Sequence, residues 1–185
     1  MYNETPPFQP GFMINGLAPD GVTLIYTEYE GMEFWIKDQP EQFISGPVQA
    51  RSPRLRLMRI VRNLSATAVQ ASQLLIPSTT TGYFDKRTNG PQTTAGAVSY
   101  VADSALPTGG VPQNYLFFIV VKGPTLVLDS GGQNTVGNIV VSTTTSGTCV
   151  TVADSAASTQ QVSTKIGRCL STLSSGTWYC DVGAP

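Results

Sequence analysis

Histidine is missing from this 185-residue chain. Its absence removes every catalytic arrangement in which an imidazole takes a proton from serine or cysteine. Cysteine is scarce: Cys149, Cys169 and Cys180 lack the paired spacing of zinc ligands, so neither a metal nor a cofactor is expected. An odd number of cysteines in a chain made in the cytosol reads as reduced, packed thiols. No GxxxxGK[ST] phosphate loop is present. Charged residues make up only 12% of the chain, about half the usual share. The net charge of −1 supplies no global field for nucleic acid or an anionic membrane. No apolar run reaches the roughly 20 residues of a membrane-spanning helix, and the first residues show no basic region followed by an apolar run.

What the chain has in plenty is turn chemistry and short apolar runs. Glycine (18) and proline (13) are abundant, and the C-terminal half is crowded with Ser and Thr. Tyr115–Val121 is an unbroken β-branched and aromatic run and predicts a strand buried on both faces. Lys122-Gly123-Pro124 then predicts a turn. Further strands are expected at Thr125–Leu128, Asn138–Ser142 and Thr148–Val152, separated by Asp-Ser-Gly-Gly and Thr-Ser-Gly turns. Upstream, Gly21–Thr27 and Met32–Ile36 predict a hairpin, 38–53 a connecting loop, and Ala66–Ile76 another strand. Residues 79–96 read as a polar surface excursion with its own small hairpin, and Ser163–Leu173 and Gly176–Val182 as closing segments. The expected fold is all-β: a short-stranded antiparallel β-barrel or sandwich with an extended N-terminal arm.

That arm is residues 1–20, where prolines alternate with Phe8, Phe12 and Met13. Proline-rich segments are stiff and extended, and a solvated linker has no use for the aromatics. Two readings stand: the arm docks on a neighbouring subunit, or it lies across its own domain. Residues 21–185 then form a single β domain. A faint repeat, VADSA at 101–105 and again at 152–156, suggests two similar β units of about 54–122 and 123–185 within it.

Charge is unevenly placed. Residues 1–50 hold seven acids against one base, a net −6, and residues 51–87 hold seven bases against one acid, a net +6. These blocks predict pairing both within and between subunits. The basic block centres on RLRLMRIVRN at 54–63. It alternates as a strand, with Leu55 and Leu57 on one face and Arg54 and Arg56 on the other, although arginines 51, 54, 59 and 62 also fit helical spacing. As a phosphate track it lacks interleaved aromatics, and a salt-bridged face is the expected use, so no direct nucleic-acid partner is expected.

Leu126-Val-Leu-Asp129-Ser-Gly131 resembles the catalytic turn of aspartic proteases, and Ile166-Gly167-Arg168 the apolar-Gly segment behind it in the retroviral type. In that alternative, two chains each supply Asp129 to a shared-proton dyad. Only 35 residues separate Gly131 and Gly167, which is tight for that family's flap and intervening strands. The competing reading is an ordinary turn between strands.

Over about residues 54–185 the chain resembles phage head decoration (capsid cement) proteins. The resemblance is carried by Val61-Arg62-Asn63 before a small-residue strand, Phe118-Ile-Val-Val-Lys-Gly-Pro124, Val136-Gly137-Asn138, and Ile166-Gly-Arg-Cys-Leu170 before a last aromatic strand. Asn138 stands where the family commonly has an acid, and Cys169 where it has Ala. The resemblance implies a non-enzymatic virion protein, assembled in the host cytoplasm, that sits on the capsid exterior. It implies the major capsid protein as partner and self-association as a homotrimer. The expected contact residues are Pro6, Phe8, Pro10, Phe12 and Met13 of the arm, with Arg54 and Arg56. On this reading, deleting residues 1–20 weakens attachment without unfolding the β domain. A tail or head-fibre protein binding the host surface is the alternative virion role.

Overall fold

A computed structural model of the chain describes residues 5–37, 55–80, 82, 86–131, 135–171 and 176–183. The expected loop 38–53, Arg54 and the first four residues of the arm lie outside them. The fold is nearly all β, as expected, with ten strands in one sheet system among the described residues. In chain order they are β1 (Glu33–Lys37), β2 (Leu55–Asn63), β3 (Leu74–Pro77), β4 (Arg87–Pro91), β5 (Tyr100–Ala102), β6 (Leu116–Leu128), β7 (Ile139–Ser142), β8 (Cys149–Val152), β9 (Gly167–Cys169) and β10 (Thr177–Val182). One short helix, α1 (Thr159–Ser163), precedes β9.

The organising strand is β6. Its first half pairs with both β2 and β5, and its second half pairs with β10. On one side the ladders β2–β4–β3–β5–β6 return to β2, a closed circuit of five strands. On the other, β6–β10–β9–β7–β8 comes back beside the end of β6 through a bridge between Asp129 and Cys149. The pairing is not wholly antiparallel, a departure from the expectation. β2 and β4 run parallel, with Arg62 opposite Arg87 and Asn63 opposite Thr88, and the Asp129–Cys149 bridge is parallel too.

The predicted turn at Lys122-Gly123-Pro124 does not form; the strand continues through it. Met58 faces Val120 and Leu57 faces Lys122, so Val121 is the extra residue of a bulge. Gly123, at φ +107°, takes the backbone geometry that follows it, and a Cβ there would press on the backbone of Leu55 and Arg56. Pro124 lacks an N–H, but a proline is tolerated next to a bulge. The extra residue changes which face of the strand is buried. Leu116, Phe118 and Val120 point into one apolar cluster, and beyond the bulge it is the odd-numbered Val127 that joins them. Phe117 and Ile119 enter a second cluster with Val61, Leu75, Ala102 and Val111.

Elsewhere the differences are local. The expected hairpin over 21–36 supplies only β1; Tyr26 is left-handed (φ 59°) and a 3-10 turn covers Thr27–Tyr29. The strand expected over 66–76 shortens to β3 because Ser72, two residues before it, also adopts a left-handed conformation (φ 63°). The polar excursion contains β4, whose sequence RTNGP carries no apolar alternation. The two VADSA copies end strands in similar turns, Leu106 N–H meeting the Asp103 carbonyl and Ala157 N–H the Asp154 carbonyl. Their aspartates diverge: Asp103 is buried, while the exposed Asp154 pairs with Arg168.

Candidate interaction surface

The arm, as far as it is described, lies on its own domain. The Phe8 ring packs on Phe118 with centroids 4.9 Å apart. Ile14 exchanges two backbone hydrogen bonds with Leu116 (3.1 and 3.0 Å). Gly11 donates its N–H to the Asp103 carboxylate at 2.7 Å, and Met13 packs against the second cluster. Pro6 and Pro10 are half-buried. Phe12 differs: 63% of it is exposed.

The arginines of β2 are used internally. Arg62 is fully buried. It donates to Glu30 (2.5 Å), to the carbonyls of Gly16 and Asn114 (2.9 Å each) and to that of Ile25 (2.7 Å). Arg87 reaches the other oxygen of Glu30 at 2.6 Å, and Arg59 pairs with Glu33. Acidic and basic blocks therefore meet within one chain at these three pairs. Arg56, expected as a surface contact, is buried as well and lies close enough to Asp103 to act on its charge. Burial pushes the Asp103 carboxyl above its ordinary range, opposed by Arg56 and by the N–H groups of Ala105, Gly11 and Ser104. Alternation placed the leucines and arginines on opposite faces of β2, and the burial pattern turns those faces round: Leu55 is exposed while Arg56, Met58, Ile60 and Arg62 are inside. No phosphate track is presented by the described part of this strand.

What the strand does present is on its other face. β1 ends the strand order and, among the described strands, pairs with β2 alone. Its Phe34 is buried and Ile36 packs against the first cluster, so Glu33, Trp35 and Lys37 point outward. Their partners across the ladder are Arg59, Leu57 and Leu55. The outward row thus has an ion pair at one end and two large apolar groups, Trp35 (56% exposed) and Leu55 (54% exposed), at the other. An exposed tryptophan on an edge strand is unusual on a surface with nothing to bind, and aromatic residues anchor interfaces out of proportion to their number. Arg59 also borders an open cleft of about 240 Å³ between Val120–Val121 and the Ser163–Ile166 segment. The sequence carried the signal in Glu-Phe-Trp-Ile-Lys, where Trp35 shares its parity with two charged residues, but parity alone does not say which face is buried.

Asp129 behaves as a turn residue. Its Oδ2 accepts the Gly131 N–H at 2.7 Å, a side-chain-closed turn. Gly167 lies opposite Val182, which lies opposite Gly123. Asp129 follows Gly123 by six positions along the extended chain, about 20 Å of strand. The apolar-Gly segment is therefore remote from the Asp-Ser-Gly turn that it supports in the retroviral protease arrangement. Gly167 has another reason to be glycine: a Cβ there would collide with the backbone of Asp181. Among the described residues no group of His, Cys, Asp and Glu is arranged to hold a metal, and no helix is long and apolar enough to cross a membrane.

Fold and surface together define a nearly all-β protein with an exposed apolar row on β1 and β2, the last pair in the order of the described strands. No family model matches the chain, and no curated protein matches it. Among solved structures it is similar to the N base of the head fibre gp8.5 of bacteriophage phi29, at 19% identity and a TM-score of 0.46, over 69% of this chain and 94% of that one. A likeness at that distance does not define a function.

Proposed function

We propose that this chain is a non-enzymatic structural protein of a phage particle. It sits on the outside of the capsid and bridges subunits of the major capsid protein, as decoration or cement proteins do. The sequence resemblance over 54–185 supports this reading, and the observation that carries it is the exposed Trp35–Leu55 row on the edge of the sheet. Burying such a pair supplies a compact anchor, while the flanking Glu33, Arg59 and Lys37 form a polar rim. Phe12, held outward on an otherwise packed arm, is a second contact. Repetition does the rest. A modest interface repeated around a shell, with copies joined as a homotrimer, resists opening far more than one contact does.

The test is co-sedimentation of the purified chain with expanded capsid shells that lack it. Replacing both anchors (Trp35→Ser with Leu55→Ser) is expected to weaken binding at least tenfold, about 1.4 kcal/mol, while the thermal midpoint stays near that of the parent. Undiminished binding by that variant removes the row from the interface. Binding to host cells but not to shells replaces the decoration role with that of a fibre.

A further inference from the structure

Two of the three cysteines are direct cross-strand neighbours. Cys169 on β9 stands opposite Cys180 on β10, and both are buried in the cluster that holds Trp178 and Val140. The hydrogen bonds decide which kind of pair this is. Cys169 donates its N–H to the Asn138 carbonyl (2.9 Å) and accepts from the Gly137 N–H (2.9 Å), so both of its backbone groups point towards β7. Leu170, the next residue, donates to the Tyr179 carbonyl at 2.8 Å, and Gly183 donates to the Ile166 carbonyl at 2.8 Å. By the antiparallel alternation, Cys169 and Cys180 form a non-hydrogen-bonded pair, the closer kind, with Cα atoms about 4.5 Å apart. Disulfides span Cα separations of about 4.4–6.8 Å. Cys149 is placed differently. It shares the cluster, and Cys180 and Cys169 lie close enough to act on its charge, but it lies on β8, which shares no ladder with β9 or β10. Its thiol donates to the Leu128 carbonyl, 3.2 Å away, as that of Cys169 donates to the Ser171 carbonyl, 3.1 Å away.

We propose that Cys169 and Cys180 are a latent disulfide site, closed by exchange with a small-molecule disulfide such as oxidised glutathione, while Cys149 remains a thiol. One cysteine thiolate attacks a glutathione sulfur, forming a mixed disulfide and expelling one glutathione thiolate. The second cysteine thiolate attacks the protein sulfur of that mixed bond, which closes Cys169–Cys180 and expels the other. The two cysteine protons pass through solvent to the two glutathione thiolates, and the glutathione disulfide takes the two electrons. Burial raises both thiols above their ordinary range, so exchange proceeds through transient opening of β10. The bond staples β10, the strand that joins β9 to β6.

The full-length chain is equilibrated over graded ratios of oxidised to reduced glutathione, with and without low urea to speed opening. Free thiols are then alkylated after unfolding, and the peptides are mapped without reduction. The expected product has lost two hydrogens, carries a Cys169–Cys180 linked peptide, and has Cys149 alkylated. Cys149→Ala, with its fold checked by circular dichroism, is expected to form the same bond. A linkage to Cys149, glutathione adducts alone, or three alkylated thiols at every ratio overturns the proposal.

Discussion

Arg62 is the residue on which most of the N-terminal region depends. Its guanidinium ties three separate stretches to β2: Gly16 and Ile25, Glu30, and Asn114. An ion pair with no access to water gains little over apolar packing of equal volume, but removing one partner strands the other. Arg62→Met is therefore expected to lower stability by about 3–5 kcal/mol, measured by urea unfolding. Glu30 keeps Arg87 at 2.6 Å in that variant, so adding Glu30→Gln, which takes the partner from Arg87 as well, is expected to lower stability further. A single variant within about 0.5 kcal/mol of the parent contradicts this account. The sequence showed the charge blocks and the pairing between them. It did not show that Arg56 and Arg62 point inward, because their surroundings come from positions far along the chain: Glu30 is 32 residues from Arg62, and Asn114 is 52.

Among the elements, the arm changes its expected behaviour most. Removing residues 1–20 was expected to leave the β domain intact, but the arm contributes to that domain. It covers Phe118 with Phe8, adds a bridge to Leu116, and accepts from Arg62 through Gly16. The truncated chain is expected to unfold at lower urea than the parent, and Phe8→Ala alone to cost roughly 1–3 kcal/mol, below the full cost for a wholly buried ring. Equal midpoints for parent and truncated chain refute the packing role. Strands with continuous apolar runs, such as β7 and the first half of β6, were legible because burial on both faces leaves no other composition. β4 was not, since Arg-Thr-Asn-Gly-Pro is a turn composition that gains its order only by lying beside β2 and β3. At Gly123-Pro124 the local signal was real but ambiguous: the same positive φ that makes a turn also makes a bulge. Helix α1 did carry a legible sign, since Ser158 and Gln161 form a reciprocal capping box.

For the whole molecule the question is whether the two strand circuits unfold together. They share β6, and the larger apolar cluster draws on both: Met58, Leu74 and Val101 from one side, Val140, Cys169 and Trp178 from the other. Neither circuit keeps its share of that cluster buried when the other opens, and β6 cannot leave one ladder without straining the next. One cooperative transition is therefore expected. The two tryptophans make the test direct, because Trp178 is buried and Trp35 is exposed. In a Trp35→Phe background, fluorescence reports Trp178 alone, on β10, while far-ultraviolet circular dichroism reports the strands of both circuits. The two urea curves are expected to share one midpoint and one slope. If fluorescence is lost at lower urea than the circular dichroism signal, the circuit holding β7–β10 opens by itself. The shared strand would then be a tether between two independently stable halves, and the bulge at Val121 the boundary between them.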